Sequence, residues 1–442
     1  MTIDLLIRNA VLVSHNGIEP ADVAVRDGIT VAIGHLGNVE AKEVLNAKGL
    51  HLFPGVIDTQ VHFREPGAEQ KEDLESGSHA AVMGGVTGVF EMPNTKPGTT
   101  TLDALKDKIG RATNRMWCDF AFYVGATANN TSRLATLEKQ PGCAGIKIFM
   151  GSSTGDLLVA DDQSLEKVLS SGFRRIAIHA EDEDRLIERQ KLSETGGVSQ
   201  HPVWRDEETA IRATERILRI ARKTGRRIHV LHVTTEDEMA ILAANKDIAT
   251  VEATPQHLTL SAPECYEELG TYAQMNPPIR DERHRQGLWK ALSVGIVDVI
   301  GSDHAPHEKE MKAQDYPKSP SGMPGVQTLV PLLLDHVNKG NLSLERFMDL
   351  TSAGPSRIFN IAGKGRLAVG YDADFTVVDL RKKWIIEEDW LQSKCGWSPF
   401  TGRHLVGQPV GTFVRGNKVM WEGSLAEEAK GQPIRFQETL GS

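Results

Sequence analysis

Six polar side chains stand where short apolar runs of the sequence end. Each lies at or just beyond the C-terminal edge of its run, and they are His62, Asn94, Lys147, His179, His232 and Asp303. Imidazole nitrogens and carboxylate oxygens suit a divalent ion such as zinc or manganese. A single histidine at a strand end is more often structural than a metal ligand. Three histidines and one aspartate at four separate ends therefore indicate a metal-dependent hydrolase, provided that the ends converge.

The segment HVLH contains two histidines, of which we expect one to be a ligand. Alternation along a strand places His229 and His232 on opposite faces. His232 is nearer the end of the run and is our predicted ligand. The alternative is that His229 is functional and His232 only packs.

Lys147, in GIKIFMG, is unusual among candidate ligands. A protonated lysine repels metal ions, and its deprotonation costs free energy because its ordinary pKa is about 10.4. Reaction with carbon dioxide would give a carbamate anion that could bridge two ions. The plainer interpretation is a cation that binds an acidic residue or a substrate carboxylate. The residues alone favour the plainer one.

Asp303, in GSDHAPH, could bind an ion and accept a proton from attacking water. Its alternative role is to cap a following helix, which Pro306 makes credible. His304 and His307 make this stretch a candidate functional loop. Arg64, two residues beyond His62, has the planar fork that grips a carboxylate; alternatively it only pairs with the adjacent Glu65.

Eight strand-like runs would position these side chains: GVIDTQVHF, VTGVFEMPN, DFAFYVGAT, AGIKIFMG, RRIAIHAE, RRIHVLHV, ATVEATPQH and VDVIGSDHA. Helical patterns separate them, such as the apolar stripe from Asp206, a candidate N-cap, to Lys223, and a capping-box pattern at Thr235. This alternation predicts parallel strands joined by right-handed crossovers. An open sheet would spread the polar ends along a line, whereas a barrel gathers them at one mouth. We therefore predict an α/β fold with a (β/α)8 TIM barrel over residues 56–364.

Both ends of the chain read as short strands separated by turns, with one turn at Asp27-Gly28. Neither end has enough strands to form a stable domain by itself. We predict one small β-sandwich-like domain made from residues 1–55 and 365–442. The alternative is two independent β appendages.

Composition excludes several classes of protein. The chain has 442 residues, 40% of them hydrophobic and 25% charged, and a net charge of -9, which disfavours a nucleic-acid binder. It has no apolar run of about 18 residues, so we expect no membrane span. The N-terminus lacks the basic region of a secretory signal. Four scattered cysteines without a CxxC pair indicate reduced thiols and a cytoplasmic protein.

Several of these segments are familiar in this order. DTQVHFREPG, EMPNTKP, GIKIFMGSS, IHAE, HVLHVTT, MNPPIR and GSDHAPH closely resemble the dihydroorotases of the cyclic amidohydrolase superfamily. The tail does too, through TSAGPSRIFNIAGKGRLAVGYDADFTVVD, SPFTG and GTFVRGNKV. The resemblance covers nearly the whole chain. GYDADFTVVD marks only the superfamily, whereas HFREPG with MPNTKP and SDHAPH is much more specific.

The resemblance implies a centre of one or two zinc ions. Lys147 would be carboxylated and bridge two ions, which reverses the preference that the residues alone gave. His179 and His232 would complete the buried metal site, and His62 and Asp303 would hold the more exposed one.

The resemblance also implies a substrate and a mechanism. Arg64, Asn94 and His307 would hold the substrate carboxylate, and Asn276 would contact its pyrimidine ring. Dihydroorotases interconvert L-dihydroorotate and N-carbamoyl-L-aspartate in pyrimidine biosynthesis. In our working hypothesis, hydroxide formed from metal-bound water attacks the ring amide, and Asp303 accepts the proton and returns it to the departing nitrogen. A homo-oligomer, dimer or tetramer, is expected.

One residue departs from the family's pattern. The first barrel strand usually ends in His-x-His, but here it reads Gln60-Val61-His62. A glutamine carbonyl is a poorer zinc ligand than imidazole, so we expect weaker occupancy of the exposed site. The other candidate ligands are retained, so we interpret Gln60 as a variation within an active subgroup.

Two rival functions stay open. One is a sister activity on another cyclic ureide, as in hydantoinases and allantoinases, although Arg64 and Asn94 favour a carboxylated substrate. The other is a catalytically silent paralogue that serves as an assembly partner, for instance of aspartate transcarbamoylase, with Gln60 as its best support. The stretch SSTGDLLVADD after Lys147 has a composition that allows a mobile loop over the substrate.

Overall fold

The computed structural model describes residues 2–14, 17–151 and 157–440, so part of the small-residue stretch after Lys147 lies outside the described residues. The N-terminal region forms five strands: β1 (Ile3–Ser14), β2 (Gly17–Arg26), β3 (Ile29–Gly34), β4 (Ala41–Asn46) and β5 (His51–Pro54). The predicted turn is present between β2 and β3, where Asp27 and Gly28 have φ of 51° and 76°. Two successive left-handed residues are what a tight hairpin turn requires.

Eight parallel strands follow in chain order: β6 (Val56–Val61), β7 (Val86–Glu91), β8 (Asp119–Gly125), β9 (Cys143–Phe149), β10 (Ile176–His179), β11 (Ile228–Val230), β12 (Ala249–Ala253) and β13 (Val299–Ile300). Just beyond β13, His304 pairs in parallel with Val61, and its carbonyl accepts the His62 N–H at 2.7 Å. This contact joins the last strand to the first and closes the barrel. The predicted (β/α)8 fold is confirmed.

The helices surround the barrel and close its ends. They are α1 (Leu74–Met83), α2 (Leu102–Ala112), α3 (Leu134–Leu137), α4 (Asp162–Leu169), α5 (Glu183–Arg189), α6 (His201–Trp204), α7 (Glu207–Thr224), α8 (Glu236–Ala243), α9 (Pro255–Thr259), α10 (Glu264–Leu269), α11 (Glu282–Ser293), α12 (Lys309–Lys312), α13 (Leu329–Asn338), α14 (Leu344–Met348) and α15 (Gly354–Phe359). Asp206 caps α7 and Thr235 caps α8 with a capping box, as the sequence predicted. Apolar faces of these helices and the outward side chains of the strands form the main core.

The C-terminal region adds β14 (Phe375–Ile385), β15 (His404–Val414), β16 (Asn417–Trp421) and β17 (Ser424–Leu425). β14 pairs antiparallel with β5, so strands from both ends of the chain form one nine-stranded, mainly antiparallel sheet. The two ends are therefore not independent appendages. The boundaries at residues 55/56 and 364/365 stay a prediction.

A buried ionic cluster lies where this sheet meets the barrel. Lys364 Nζ lies 2.6 Å from a carboxylate oxygen of Asp119, at the start of β8, and 3.0 Å from one of Asp372. It also pairs with Asp374, and Arg415 pairs with Asp119. The ammonium occupies the centre of the three carboxylates, so this acidic cluster needs no metal ion. Its position indicates a structural role in joining the two parts of the molecule.

The four cysteines are buried and none forms a disulfide, in agreement with the expectation of unpaired thiols. Within the described ranges, no helix combines the length and apolar character that crossing a membrane requires.

Candidate active site

One cavity at the C-terminal mouth of the barrel is lined by every side chain that the sequence singled out for the site. They are His62, Arg64, Asn94, Lys147, His179, His232, Asn276, Asp303 and His307. Gln60, Phe149, Ala305, Ser321 and Gly322 complete the lining. The nine side chains come from separate strand ends and loops, as convergence of parallel strands in a barrel predicts. Their chemical roles stay predictions.

Three of these residues have strained backbone conformations. Arg64, His232 and Asp303 have φ of 64°, 34° and 45°, in the left-handed region that side-chain-bearing residues rarely adopt. Such a conformation costs about 1–3 kcal/mol and persists where the surrounding structure imposes it. The fold thus bends the chain sharply just after β6, β11 and β13, which turns these side chains into the cavity.

The deepest part of the cavity contains two neutral imidazoles. His179 Nδ1 lies 3.0 Å from His232 Nε2, and burial lowers the pKa of both rings. His179 Nε2 lies 2.9 Å from Glu181 Oε2, a carboxylate oxygen that Arg205 also binds at 2.6 Å. Because the carboxylate of Glu181 accepts, the His179 proton resides on Nε2 and the lone pair resides on Nδ1.

Lys147 is almost completely buried beside these rings, with its Nζ 4.6 Å from the centroid of Phe149. Burial lowers the pKa of its ammonium to about 7, against smaller opposing effects of Asp303 and Glu252. Within the part of the chain that the structure describes, no ion pair of Lys147 with a carboxylate is formed. An acidic partner for Lys147, one form of the plainer interpretation, is thus not found among these residues.

Asp303 faces Gln60 and His62 at the other side of the mouth. Its Oδ1 accepts the Gln60 Nε2–H at 3.0 Å and lies 3.3 Å from His62 Nε2. His62 Nδ1 lies 2.8 Å from Asn94 Oδ1, so Nδ1 carries the ring proton and Nε2 the lone pair. Asp303 caps no helix, because the next helix, α12, has Glu308 at its N-cap position.

The donor set fits a divalent ion. Metal-bound histidines must be neutral, and both deep imidazoles are. Two nitrogens on one tetrahedral zinc are roughly 3.3 Å apart, given Zn–N bonds of about 2.0–2.1 Å, and His179 Nδ1 and His232 Nε2 are 3.0 Å apart. Glu181 holds His179 as a carboxylate behind a metal-bound histidine does. His62 Nε2 and Asp303 Oδ1 likewise turn a lone pair and a carboxylate oxygen towards each other.

The opposite end of the cavity is cationic. Lys71 Nζ donates to His307 Nδ1 at 3.2 Å, which leaves the ring proton on Nε2, where it is donated to the Ser321 carbonyl at 3.0 Å. Arg64 Nε donates to the Pro306 carbonyl at 3.2 Å. Burial, followed by the charges of Arg64 and Lys71, lowers the pKa of His307, so this ring is neutral.

Neither cation at this end has a carboxylate partner among the described residues. Glu65, the alternative partner of Arg64, instead accepts from Arg115 at 2.7 Å. That alternative is wrong. Two cations without an ion-paired carboxylate thus lie beside the neutral His307 ring, an arrangement that can attract an anionic group of a ligand.

Asn276 reaches the cavity from the segment that precedes α11, and its Oδ1 lies 2.9 Å from His201 Nε2. Burial lowers the pKa of His201 to about 3, so it acts as a fixed neutral hydrogen-bond partner. Of the two histidines in HVLH, His232 lines the cavity, whereas His229 does not line it and lies 2.8 Å from Thr250 Oγ1; the role of His232 as a ligand stays a prediction.

Sequence reasoning missed four residues around the site. Lys71, Glu181 and His201 each contact a residue that lines the cavity, and Arg205 binds Glu181 behind His179. Glu181 alone had a readable signal, because it lies two residues beyond His179 in IHAE and so on the same side of an extended chain.

A closed (β/α)8 barrel with imidazole, lysine and carboxylate donors at its C-terminal mouth has the arrangement of a metal-dependent hydrolase. Residues 51–419 match the amidohydrolase family, and residues 1–50 match the urease alpha-subunit, N-terminal domain. The chain belongs to the amidohydrolase family.

Its relatives include a dihydroorotase from Halobacterium salinarum, 38% identical over 87% of this chain and 89% of the relative. An allantoinase from Deinococcus radiodurans is 32% identical over 98% of this chain and 99% of the relative. Among solved structures, the L-hydantoinase (dihydropyrimidinase) from Arthrobacter aurescens has a TM-score of 0.93 and 32% identity, covering 98% of this chain and 100% of that one. The predicted enzyme class, a cyclic amidohydrolase, is confirmed.

Proposed function

We propose that this protein is a dihydroorotase, which interconverts L-dihydroorotate and N-carbamoyl-L-aspartate in pyrimidine biosynthesis. The observation that carries the proposal is Arg64, a cation that lines the cavity and has no ion-paired carboxylate among the described residues, with Lys71 behind the lining residue His307, in a cavity that also holds metal-ligand donors. L-dihydroorotate matches this arrangement, because its ring carries both a carboxylate, which a cation can bind, and a cyclic amide, which a metal-dependent hydrolase can cleave. The relative named dihydroorotase supports the same assignment.

Substrate binding would begin with the carboxylate. The planar guanidinium of Arg64 can bind both carboxylate oxygens, and Asn94 lies beside it on the rim. His307 accepts from Lys71 at Nδ1, and its Nε2 lies 3.0 Å from the Ser321 carbonyl and 3.3 Å from Arg64 Nη2, so this ring would position both cations for the carboxylate. Asn276, held by His201, would contact the ring of the substrate. Together these contacts fix the amide carbonyl near Asp303, which lowers the entropic part of the barrier.

Asp303 would move the proton. Its Oδ1 is held by Gln60, and its Oδ2 makes no hydrogen bond to the residues described, so Oδ2 is free to act as base. It accepts a proton from the attacking water and returns it to the ring nitrogen as the amide C–N bond breaks. One water is consumed, and the carbonyl carbon becomes the second carboxylate of N-carbamoyl-L-aspartate.

The metal centre would be held by Lys147, His179, His232, His62 and Asp303 as the resemblance implies, with zinc as the proposed ion. A bound dication supplies a lowered pKa for water and polarises the amide carbonyl. The lowered pKa of Lys147 supports its carboxylation, because the neutral amine attacks carbon dioxide and releases a proton as the carbamate forms.

A hydantoinase-type activity is the second candidate, favoured by the likeness to the L-hydantoinase structure over nearly the whole chain. Hydantoin lacks a ring carboxylate, so it would leave Arg64 and Lys71 without a partner. A silent assembly partner of aspartate transcarbamoylase is disfavoured because the cavity keeps the imidazole, lysine and carboxylate groups together.

The test compares four substrates of the purified enzyme: L-dihydroorotate, dihydrouracil, hydantoin and allantoin. Dihydrouracil is the matched control, because it is the same ring without the carboxylate. We expect kcat/KM for dihydroorotate to exceed that for dihydrouracil by about 100-fold or more. Lys71→Met should raise KM for dihydroorotate about 10-fold and leave dihydrouracil unaffected, and Lys71→Arg should restore part of the loss. Faster turnover of hydantoin or allantoin would overturn the assignment.

We also propose a cytoplasmic homo-oligomer, a dimer or tetramer. Light scattering of the eluting protein measures its mass directly, and a monomer at micromolar concentration would contradict this expectation.

A further inference from the structure

Gln60 is enclosed in the site and its amide is directed at the catalytic carboxylate. The side chain is 2% exposed and lies next to the end of β6. Its Nε2 donates to Asp303 Oδ1 at 3.0 Å. Its Oε1 is buried and, among the residues that the structure describes, has no hydrogen-bond partner.

The orientation of this amide follows from charge. If the amide were turned over, Oε1 would face Asp303 Oδ1, and two acceptors would oppose each other with no hydrogen between them. An ionised carboxylate can only accept hydrogen bonds, so it favours the orientation in which the N–H group of Gln60 faces it. A hydrogen bond to an ionised group is about twice as strong as a neutral one, which compensates for the buried, unpaired Oε1.

The two ends of the donor set therefore differ. At the deep end, His179 Nδ1 and His232 Nε2 lie 3.0 Å apart beside Lys147, and Glu181 fixes the tautomer of the first ring. At the Asp303 end, the carboxylate oxygen nearest His62 already accepts an amide hydrogen. A cation that bound this oxygen together with His62 would lie against the partial positive charge of that hydrogen.

We infer that the chain binds one divalent ion, at the His179–His232–Lys147 end, and that the Gln60 amide takes the place of a second ion beside Asp303. This inference rests on the metal centre of the proposed function and narrows it, because His62 and Asp303 would then hold no ion of their own. It assigns Gln60 the role of a positioning residue: the N–H holds Oδ1 of Asp303 and balances part of its charge, which a second dication would otherwise do. Lys147 then serves one ion and bridges none.

The experiment counts metal without using activity. Protein loaded with zinc, and then freed of excess by gel filtration, is measured by inductively coupled plasma mass spectrometry against amino-acid analysis. The wild type should retain about one zinc per chain. Gln60→His should retain about two, because it adds an imidazole and removes the amide hydrogen. Gln60→Ala, which removes the hydrogen but adds no ligand, is the matched control and should retain about one.

Two further variants locate the ion. Asp303→Asn should keep the single zinc, and His179→Ala should lose it; an anomalous difference map at the zinc edge should show one peak in the wild type. Two tightly held ions in the wild type, none at all, or loss of zinc from Asp303→Asn would each overturn the inference, as would a single ion in a folded Gln60→His. If Gln60→His does not fold, the zinc content and the anomalous difference map of the wild type still distinguish one bound ion from two.

These outcomes are separate from those of the proposed function. A chain with one zinc and no turnover of dihydroorotate would contradict the substrate and leave the role of Gln60 intact. A chain with two zinc ions and full turnover would do the reverse.

Discussion

Two buried clusters of charged and polar groups lie at opposite ends of the barrel strands, and they differ in how their charges are balanced. Between barrel and β sheet, three carboxylates meet three cations: Asp119, Asp372, Asp374, Lys364, Arg415 and Arg435. At the mouth, neutral imidazoles, Lys147 and Asp303 surround a cavity, and lone pairs face one another. The first cluster is complete without a ligand. The second is not.

This difference favours the cluster at the mouth, and not the cluster of aspartates, as the candidate binding site. The three aspartates are close enough to hold a metal ion, yet the Lys364 ammonium already lies among them. Burial alone would raise the pKa of Asp119, but the charges of Lys364 and Arg415 lower it below its ordinary value. Closeness of carboxylates is therefore a weak sign of a metal site, and a lack of internal charge partners is a stronger one.

The comparison predicts first that loss of a charge at the mouth affects chemistry and not folding. Asp303→Asn keeps the shape but removes the base, so kcat should fall by about 10³-fold, or about 4 kcal/mol. The free energy of unfolding of the metal-free protein should fall by less than about 1 kcal/mol, because Asp303 has no lysine or arginine partner among the described residues and the adjacent His62 ring is neutral. Steady-state kinetics and urea unfolding measure the two quantities. Near-normal kcat in this variant would exclude Asp303 as the base.

Loss of a charge at the other cluster should do the opposite. Lys364→Met leaves three buried carboxylates with a large part of their compensation removed, and we expect a loss of about 3 kcal/mol in the free energy of unfolding. Turnover per folded molecule and zinc content should stay at wild-type levels. Lys223→Met, which breaks an exposed pair with Glu166, is the control and should cost about 1 kcal/mol or less. An unchanged stability would mean that the cluster does not join the two parts.

The sequence predicts the fold and most of the site because both follow from one rule. Parallel strands in a barrel bring their C-terminal ends together, so side chains at or just beyond the ends of β6, β9, β10, β11 and β13 meet, however long the segments between these strands are. Caps such as Asp206 were readable for the same local reason, since a side chain three residues before a backbone N–H can reach it.

The residues that were missed depend on contacts that no local pattern encodes. Lys71 reaches His307 from a loop 236 positions away, and His201 reaches Asn276 from α6. Arg205 belongs to the site only through its ion pair with the buried Glu181, a contact that the sequence does not indicate. Loop conformation and burial set these contacts, and neither follows from the spacing of residues along the chain.

The third prediction concerns the carboxylate behind the deep imidazole pair. Glu181→Gln keeps a hydrogen-bond acceptor for His179 but removes the negative charge that orients the ring and raises its basicity. Zinc affinity should fall about 10- to 100-fold, measured by competition with a chromogenic chelator. Glu183→Gln, two positions further on at the first residue of α5, is the control and should bind zinc as the wild type does. Equal affinities in both variants would show that the charge of Glu181 does not support metal binding by His179.

The smallest predicted effect is the acid dependence of stability at the balanced cluster. The pKa of Asp119 is lower in the folded chain than in the unfolded chain, where it is about 3.9. As the pH falls below about 4, the unfolded chain therefore binds a proton that the folded chain does not, and the stabilisation present above this pH is lost. Asp119→Asn should show a shallower decline in the free energy of unfolding between about pH 4.5 and pH 3 than the wild type, whatever its stability at neutral pH. The exposed Asp103→Asn serves as control. Parallel curves for wild type and Asp119→Asn would mean that Lys364 and Arg415 do not hold this carboxylate ionised.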